Sequence, residues 1–350
     1  MRRLRVAAGF AVALLVTGIL VYGTGWEAVV SSIRRADPIL VAGGAVAGAT
    51  MLALRALIVY RLLGPIEGSA RGADFVGAFL AGYFSRSVVP WGQSVGVAVT
   101  AYLLAGSSES PFEDNAAVIS VAEVLVFLTS VVVAVVGLVG VVSNGSVDVG
   151  SSVTVGSPPS NRLATGLLGA LFTAVLVAAS AVSVTRDGVA RTILFGITAR
   201  LEGALARLPG VERAAVRTRV RGFLSTIDDV AADRSVLLGA VTVALASWIF
   251  NALALFLSLI ALGIDAPFAV ALLCVPLSTV AAVVPLPGGM GGVEVFLAGL
   301  LVATTAVSSD VATAAALLYR LCTYWVHVGL GGIGATYVSA TGVGLVRVDG

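Results

Sequence analysis

An all-α, polytopic membrane helix bundle is the fold class that this sequence predicts, on three observations. Hydrophobic residues make up 58% of the 350 and charged residues 11%, with a mean hydropathy of +1.05; a soluble domain needs far more polar surface. Several apolar stretches reach the roughly 20 residues with which a helix crosses a hydrocarbon core of about 30 Å. Two further apolar regions carry prolines and glycines that would break a plain spanning helix. The reading is one integral membrane domain over 1–350, with about six full spans and two re-entrant helical hairpins in an inverted-topology repeat.

Full spans are expected at about 6–23, 38–60, 115–142, 163–184, 235–262 and 310–338. The first follows Arg2-Arg3-Leu4-Arg5 and has no small-x-small cleavage site after it, so a retained span is expected rather than a signal peptide. Region 73–104 is interrupted by Arg86, Pro90 and Gly92, and region 267–306 by Pro285, Pro287 and four glycines. Each reads as a re-entrant hairpin, because non-helical backbone at membrane depth needs protein or a wet cavity to satisfy it.

Arginine placement sets the expected orientation. The connector at about 186–234 carries nine arginines and the N-terminus three, whereas the loop at 143–161 has none. By the positive-inside rule both termini and the connector are cytoplasmic, in a multi-pass protein of the cell membrane. Arg34 and Arg35 depart from that rule in the first outer loop. Residues 190–230 alternate apolar and arginine-bearing positions at helical spacing, broken at Pro209-Gly210. They read either as amphipathic helices on the anionic inner leaflet or as a solvated connector.

Several functional classes fall away. Cys274 and Cys322 sit in apolar segments as small buried hydrophobes, and with His327 the one histidine, no His/Cys metal cluster is expected. All basic residues are arginine, so a phosphate-binding G-x-x-x-x-G-K-[ST] loop cannot occur. Gly92-Gln93-Ser94-Val95-Gly96 matches G-x-S-x-G formally, but no strand precedes it and the histidine is on a distant span. No catalytic residue, metal, cofactor or nucleic-acid partner is expected; a homo-oligomer is compatible with the sequence.

Superposing the chain on itself with a shift of 197 residues pairs Pro90 with Pro287, Gly92 with Gly289, Leu40 with Leu237, Ala47 with Ala244 and Leu62 with Leu259. Repeat 1 is then about 38–142 and repeat 2 about 235–339. Three spans separate the two hairpins, so the copies enter from opposite sides, the arrangement that transporters use to place a substrate site between halves.

The residues expected along a substrate path follow from the broken segments and the isolated charges. In the second hairpin they are Pro287, Gly288, Gly289, Gly291, Gly292 and Glu294, where glycines let backbone bend and a carboxylate either caps the next helix or faces a cavity. In the first they are Arg86, Pro90 and Gln93, Arg86 either lining a cavity or reaching the headgroups. Glu123 and Arg320, paired by the same shift, both reach the middle of the core, and are expected to face each other or a common cavity. Asn251, Tyr319 and Tyr324 complete the set; Arg55 and His327 are lesser candidates, His327 as a hydrogen-bonded core residue.

Pro287-Gly288-Gly289-Met290-Gly291-Gly292-Val293-Glu294 and Leu317-Leu318-Tyr319-Arg320-Leu321-Cys322-Thr323-Tyr324-Trp325 resemble the C-terminal signature of the lysylphosphatidylglycerol synthase transmembrane family, also called flippase-like or UPF0104. Gly25-Trp26, Arg35-Ala36-Asp37-Pro38, Arg55 and Val89-Pro90-Trp91-Gly92-Gln93-Ser94 agree with the N-terminal pattern, so the resemblance covers nearly the whole chain. Relatives include the membrane portion of the bacterial multiple peptide resistance factor and dolichol-phosphate-glucose synthetase-like proteins. The family usually has an acid after the first hairpin's glycine; here Val97, the partner of Glu294 at the 197 shift, stands there.

The resemblance implies movement of a phospholipid or polyprenyl-phosphate-linked headgroup between leaflets, with membrane lipid as the partner. No polar stretch here is expected to supply an aminoacyl-transfer domain. The alternatives are an enzyme or enzyme subunit acting on lipid-linked sugars, and a transporter of a non-lipid solute or ion.

Overall fold

The computed structural model describes residues 15, 17–89, 92–143, 213–283 and 286–342, apart from the side chains of 93, 94, 213–217, 282 and 283. Helical residues 17–23 lead through Gly25, with φ 98°, into α1, Trp26–Arg35. Then come α2, Pro38–Leu62; α3, Gly72–Val88; α4, Gly92–Gly106; and α5, Phe112–Ser143. After the undescribed stretch follow α6, Arg213–Ala232; α7, Arg234–Ala261; and α8, Phe268–Ser278, which tightens into a 3-10 turn at Thr279–Val283. A second 3-10 turn, Pro287–Gly289, precedes α9, Gly292–Thr305. Finally α10, Ser309–Arg320, passes through a π turn, Leu321–Trp325, into α11, Val326–Thr341. Among the described residues there is no strand, and the protein is an all-α membrane helix bundle.

The long spans follow from apolar composition and deliberate caps. α2, α5 and α7 have 25, 32 and 28 residues and are long and apolar enough to cross a membrane. Asp37 caps α2, accepting from the Ile39 amide at 2.8 Å, with Pro38 in the first turn. Asp233 caps α7 in the same way, accepting from the Ser235 and Val236 amides at 2.9 and 3.1 Å. The Ser235 hydroxyl and these amides hold the exposed Asp233 carboxyl below the usual carboxylate range. At the other end of α2, Arg71 donates to the Leu63 and Tyr60 carbonyls at 2.9 and 3.3 Å, satisfying groups that the helix end leaves open. Val46, Phe127, Leu238 and Ile333 lie well exposed on the outside of the bundle, as a lipid-facing surface requires.

The interrupted regions fold as helical hairpins. α3 and α4 have 17 and 15 residues, hence about 25 and 22 Å, short of a core of about 30 Å. The loops at their outer ends meet, the Glu109 amide donating to the Gly68 carbonyl at 3.0 Å, so the hairpin starts and finishes on one side. In the second hairpin Gly288, Gly289 and Gly291 take φ of 56°, 65° and 83°, which only glycine adopts without strain. By length alone its second leg with the turn, Pro287–Thr305, would suffice to cross; the turn interrupts it as a continuous helix. The expected spans at 163–184 and most of 6–23, the loop 143–161 beyond Ser143, most of the 186–234 connector, Pro90, Pro285 and the Gln93 side chain lie outside the described residues. Of the connector, α6 is described, docked on α5 through the Thr226 hydroxyl, which donates to Asp114 at 2.6 Å.

Packing is reciprocal. α2 and α7 run antiparallel against each other, the Asp37 amide donating to the Ala261 carbonyl at 3.0 Å. α3 packs along α11, and α8 packs along α5. Both crossings depend on a glycine: a Cβ on Gly334 of α11 would lie 2.4 Å from Leu80 Cβ, and one on Gly137 of α5 would lie 2.4 Å from the Leu273 amide nitrogen. These two glycines are 197 residues apart. Gly137→Leu and Gly334→Leu are each expected to destabilise the protein by about 1–3 kcal/mol through overpacking. Gly329→Leu, on α11 with open space around its Cβ position, should leave the thermal unfolding midpoint in detergent nearly unchanged.

Candidate functional site

A small hollow, of about 30 Å³, lies among α2, α3, α4 and α5 and opens to the outside. Arg55, Tyr83, Arg86, Val97, Thr100 and Glu123 supply its character. Glycines on α4 open the space for Arg86: a Cβ on Gly92 would sit 1.9 Å from the Arg86 carbonyl oxygen, and one on Gly96 would sit 2.7 Å from Arg86 Cβ. The Arg86 guanidinium meets the Glu123 carboxylate of α5 side-on, Nη2 donating to Oε2 at 3.1 Å and Nη1 to Oε1. Such a two-point pair fixes geometry as well as charge. Its side chains stay 22% and 34% exposed, so the pair opens onto the hollow instead of being sealed in protein.

Arg55 enters the same hollow from α2. Its guanidinium lies 5.0 Å from the Trp248 ring centroid, a cation–π contact, and its Nε is buried without a hydrogen-bond partner. It lies within electrostatic reach of Glu123 and Arg86, yet among the described residues it forms no ion pair. The charges on the described lining are therefore two cations and one anion. An enclosed cation that lacks a partner is costly in an apolar bundle, so this surplus is the site's most telling feature.

The second hairpin holds a different kind of cluster. Glu294 Oε2 accepts from the Gly291 amide at 2.7 Å, and Oε1 accepts from Arg320 Nε at 2.8 Å. Arg320 Nη2 donates to the Gly288 carbonyl at 2.8 Å, and its guanidinium lies 4.3 Å from the Tyr324 ring centroid. Gly291 has no side chain with which to return the bond, so Glu294 supplies one half of a capping box, at a helix start that favours negative charge. Tyr324 adds a bond to the first hairpin, its hydroxyl donating to the Ser87 carbonyl at 3.1 Å. The Arg320 and Glu294 side chains are 11% and 4% exposed, so this cluster is closed and internally satisfied.

The expected facing of Glu123 and Arg320 is corrected: each pairs inside its own half, Glu123 with Arg86 and Arg320 with Glu294. The cause is local. Each broken hairpin brings an opposite charge to the long helix that follows it, leaving neither ion in need of a partner across the bundle. Of the residues expected along the path, Arg86 and Glu123 share the hollow. Pro287, Gly288, Gly289, Gly291, Gly292, Glu294, Arg320 and Tyr324 gather in or beside the closed cluster. Asn251 and Tyr319 are buried together, the tyrosine hydroxyl donating to Asn251 Oδ1 at 2.9 Å.

Tyr83 and Thr100 were not expected from sequence and look like ordinary apolar-helix residues; Arg55 was expected only as a lesser candidate, and Val97 only as the place where the family's usual acid is replaced. His327 is buried, its Nε2 2.8 Å from the Gly48 carbonyl oxygen, as expected of a hydrogen-bonded core histidine. The serine of the formal G-x-S-x-G match lies inside helix α4, without the strand-turn setting a nucleophile elbow needs. Among the described residues no group of histidine, cysteine or acidic side chains is arranged to hold a metal.

Residues 6–331 match the model for the lysylphosphatidylglycerol synthase TM region. The chain is 26% identical to "Glycosyltransferase AglD" of Haloferax volcanii over 352 aligned positions, which cover 95% of this chain and 54% of that protein. It thus spans about half of that relative's length. It is 25% identical to a UPF0104 membrane protein of Methanothermobacter thermautotrophicus, covering 91% of each chain. A further match under the same name and organism is 34% identical over 90 residues, 25% of this chain and 27% of that protein.

Glu294→Leu and Arg320→Met should each lower stability by about 3–5 kcal/mol, because each leaves one enclosed charge unpaired. The double variant, which removes both charges, should unfold at a higher temperature in detergent than either single variant. A double variant that loses the sum of the two single losses would contradict the coupling.

Proposed function

Because the chain belongs to the lysylphosphatidylglycerol synthase transmembrane-region family, we propose that it moves the polar headgroup of a lipid between the leaflets of the membrane. One observation carries this reading: Arg55, Arg86 and Glu123 meet at a small hollow inside an apolar bundle, where charges are costly and commonly mark a substrate path. Acyl or polyprenyl chains stay in lipid while the headgroup enters between the helices, so the translocated part crosses without meeting hydrocarbon.

The two halves supply the means of access. A shift of 197 residues carries Pro38–Leu62 onto 235–259 and Phe112–Ser143 onto 309–340, against observed helices at Arg234–Ala261 and Ser309–Thr341. The reciprocal packing of α3 on α11 and of α8 on α5 follows the same relation. In our reading these are inverted copies that rock against each other, with both termini on the cytoplasmic side.

A second reading, action on lipid-linked sugars, is favoured by the match to a protein named as a glycosyltransferase. It requires turnover of a sugar donor, whereas translocation requires none.

Purified protein in liposomes with fluorescent phospholipids, followed by a leaflet-accessibility assay, distinguishes the two. Acceleration of exchange without nucleotide or sugar is expected, and Arg86→Gln should slow it by about tenfold or more, the value of a charge-assisted hydrogen bond. Unaccelerated exchange together with sugar-donor turnover would overturn the translocation reading in favour of the enzyme.

A further inference from the structure

The geometry points to a charge filter: the hollow takes a headgroup with a single negative charge, a phosphodiester without an amine, and Arg55 is the residue that holds it. This rests on the reading of the hollow as the headgroup site. Arg86 and Glu123 neutralise each other through their two-point pair, so the charge left to be met is that of Arg55. Its Nε is buried, has no acceptor, and is held in place by the Trp248 ring. A buried donor of this kind is satisfied by an acceptor brought from outside.

The sign and size of the surplus define the guest. Two arginines and one glutamate on the described lining leave one positive charge. A phosphodiester, carrying one negative charge, brings the enclosed sum to zero. A phosphomonoester, carrying about −1.5 to −2 at neutral pH, overshoots it. A headgroup with an added amine or quaternary ammonium leaves the surplus in place, or increases it, in a setting where uncompensated charge is expensive.

The internal comparison shows how the surplus arises. In the second half Glu294 neutralises Arg320 and the cluster is closed. The position 197 residues before Glu294 is Val97, which lines the hollow and offers Arg55 nothing. A carboxylate at 97 would provide Arg55 with an internal counter-ion and occupy the guest's place.

The test uses the full chain in detergent, titrated with dioctanoyl phosphatidylglycerol, phosphatidylcholine and phosphatidate, and with soluble glycerophosphoglycerol, read by ligand-induced shift of the thermal unfolding midpoint. Saturable stabilisation by phosphatidylglycerol is expected, with phosphatidylcholine and phosphatidate weaker by about tenfold or more. Arg55→Gln should lose it. Val97→Glu should lose it as well while unfolding no earlier than the parent, which separates a lost guest from a damaged fold. Equal binding of phosphatidylcholine, or parent-like binding by Val97→Glu, would overturn the assignment. An equal effect of glycerophosphoglycerol would assign the site to a free phosphodiester and overturn the lipid guest. Leaflet exchange is measured separately. Charge-selective binding without accelerated exchange leaves the site standing and removes the translocation reading. Rapid exchange that ignores headgroup charge and Arg55→Gln does the reverse.

Discussion

A guanidinium inside an apolar bundle has to find a negative partner, and this one requirement organises the molecule. Where both partners come from the chain, as with Arg320 and Glu294, the result is a closed knot that welds a glycine turn to the helix beyond it. Where the chain supplies one carboxylate for two arginines, as around Arg86, Glu123 and Arg55, the result is a hollow with an unmet charge. The same chemistry serves as scaffold around Arg320 and, in the function proposed here, as an attraction for a guest around Arg55.

Charge and packing divide the work of assembly. The ion pairs act within a half, binding each broken hairpin to the long helix that follows it. The glycine-dependent crossings act between halves, since Gly334 admits Leu80 of the first hairpin and Gly137 admits the backbone at Leu273 of the second. Polar bonds also cross the divide, from Tyr324 to the Ser87 carbonyl, from Trp248 to the Val126 carbonyl and from Tyr337 to Asp74. The rocking proposed for the halves would slide at the close glycine contacts while each ion pair stays intact.

Most of the architecture was legible in the sequence because hydropathy and punctuation report directly on lipid. α2, α5 and α7 fall within a few residues of the spans expected at 38–60, 115–142 and 235–262, and the Pro- and Gly-rich interruptions mark where helices turn back. The site was less legible. Charges such as Arg86, Glu123, Glu294 and Arg320 announce themselves in an apolar chain, but their partners do not, since pairing depends on which hairpin leg reaches which helix. Arg55 was visible only as one charge among several. Its importance comes from the absence of an acid at Val97, and an absence acquires meaning only once the surrounding helices are in place.

The π turn at Leu321–Trp325 decides what the last helix is able to touch. In an unbroken α-helix, residues seven apart lie nearly above one another, about 20° out of phase, so Arg320 and His327 would share a face. The wide turn adds a residue and rotates everything after it by roughly 100°. Arg320 is thereby free to address α9 through Glu294, while His327 addresses α2 through the Gly48 carbonyl. One continuous rod thus serves two neighbours lying in different directions, and removing a single residue from that turn would force it to abandon one of them.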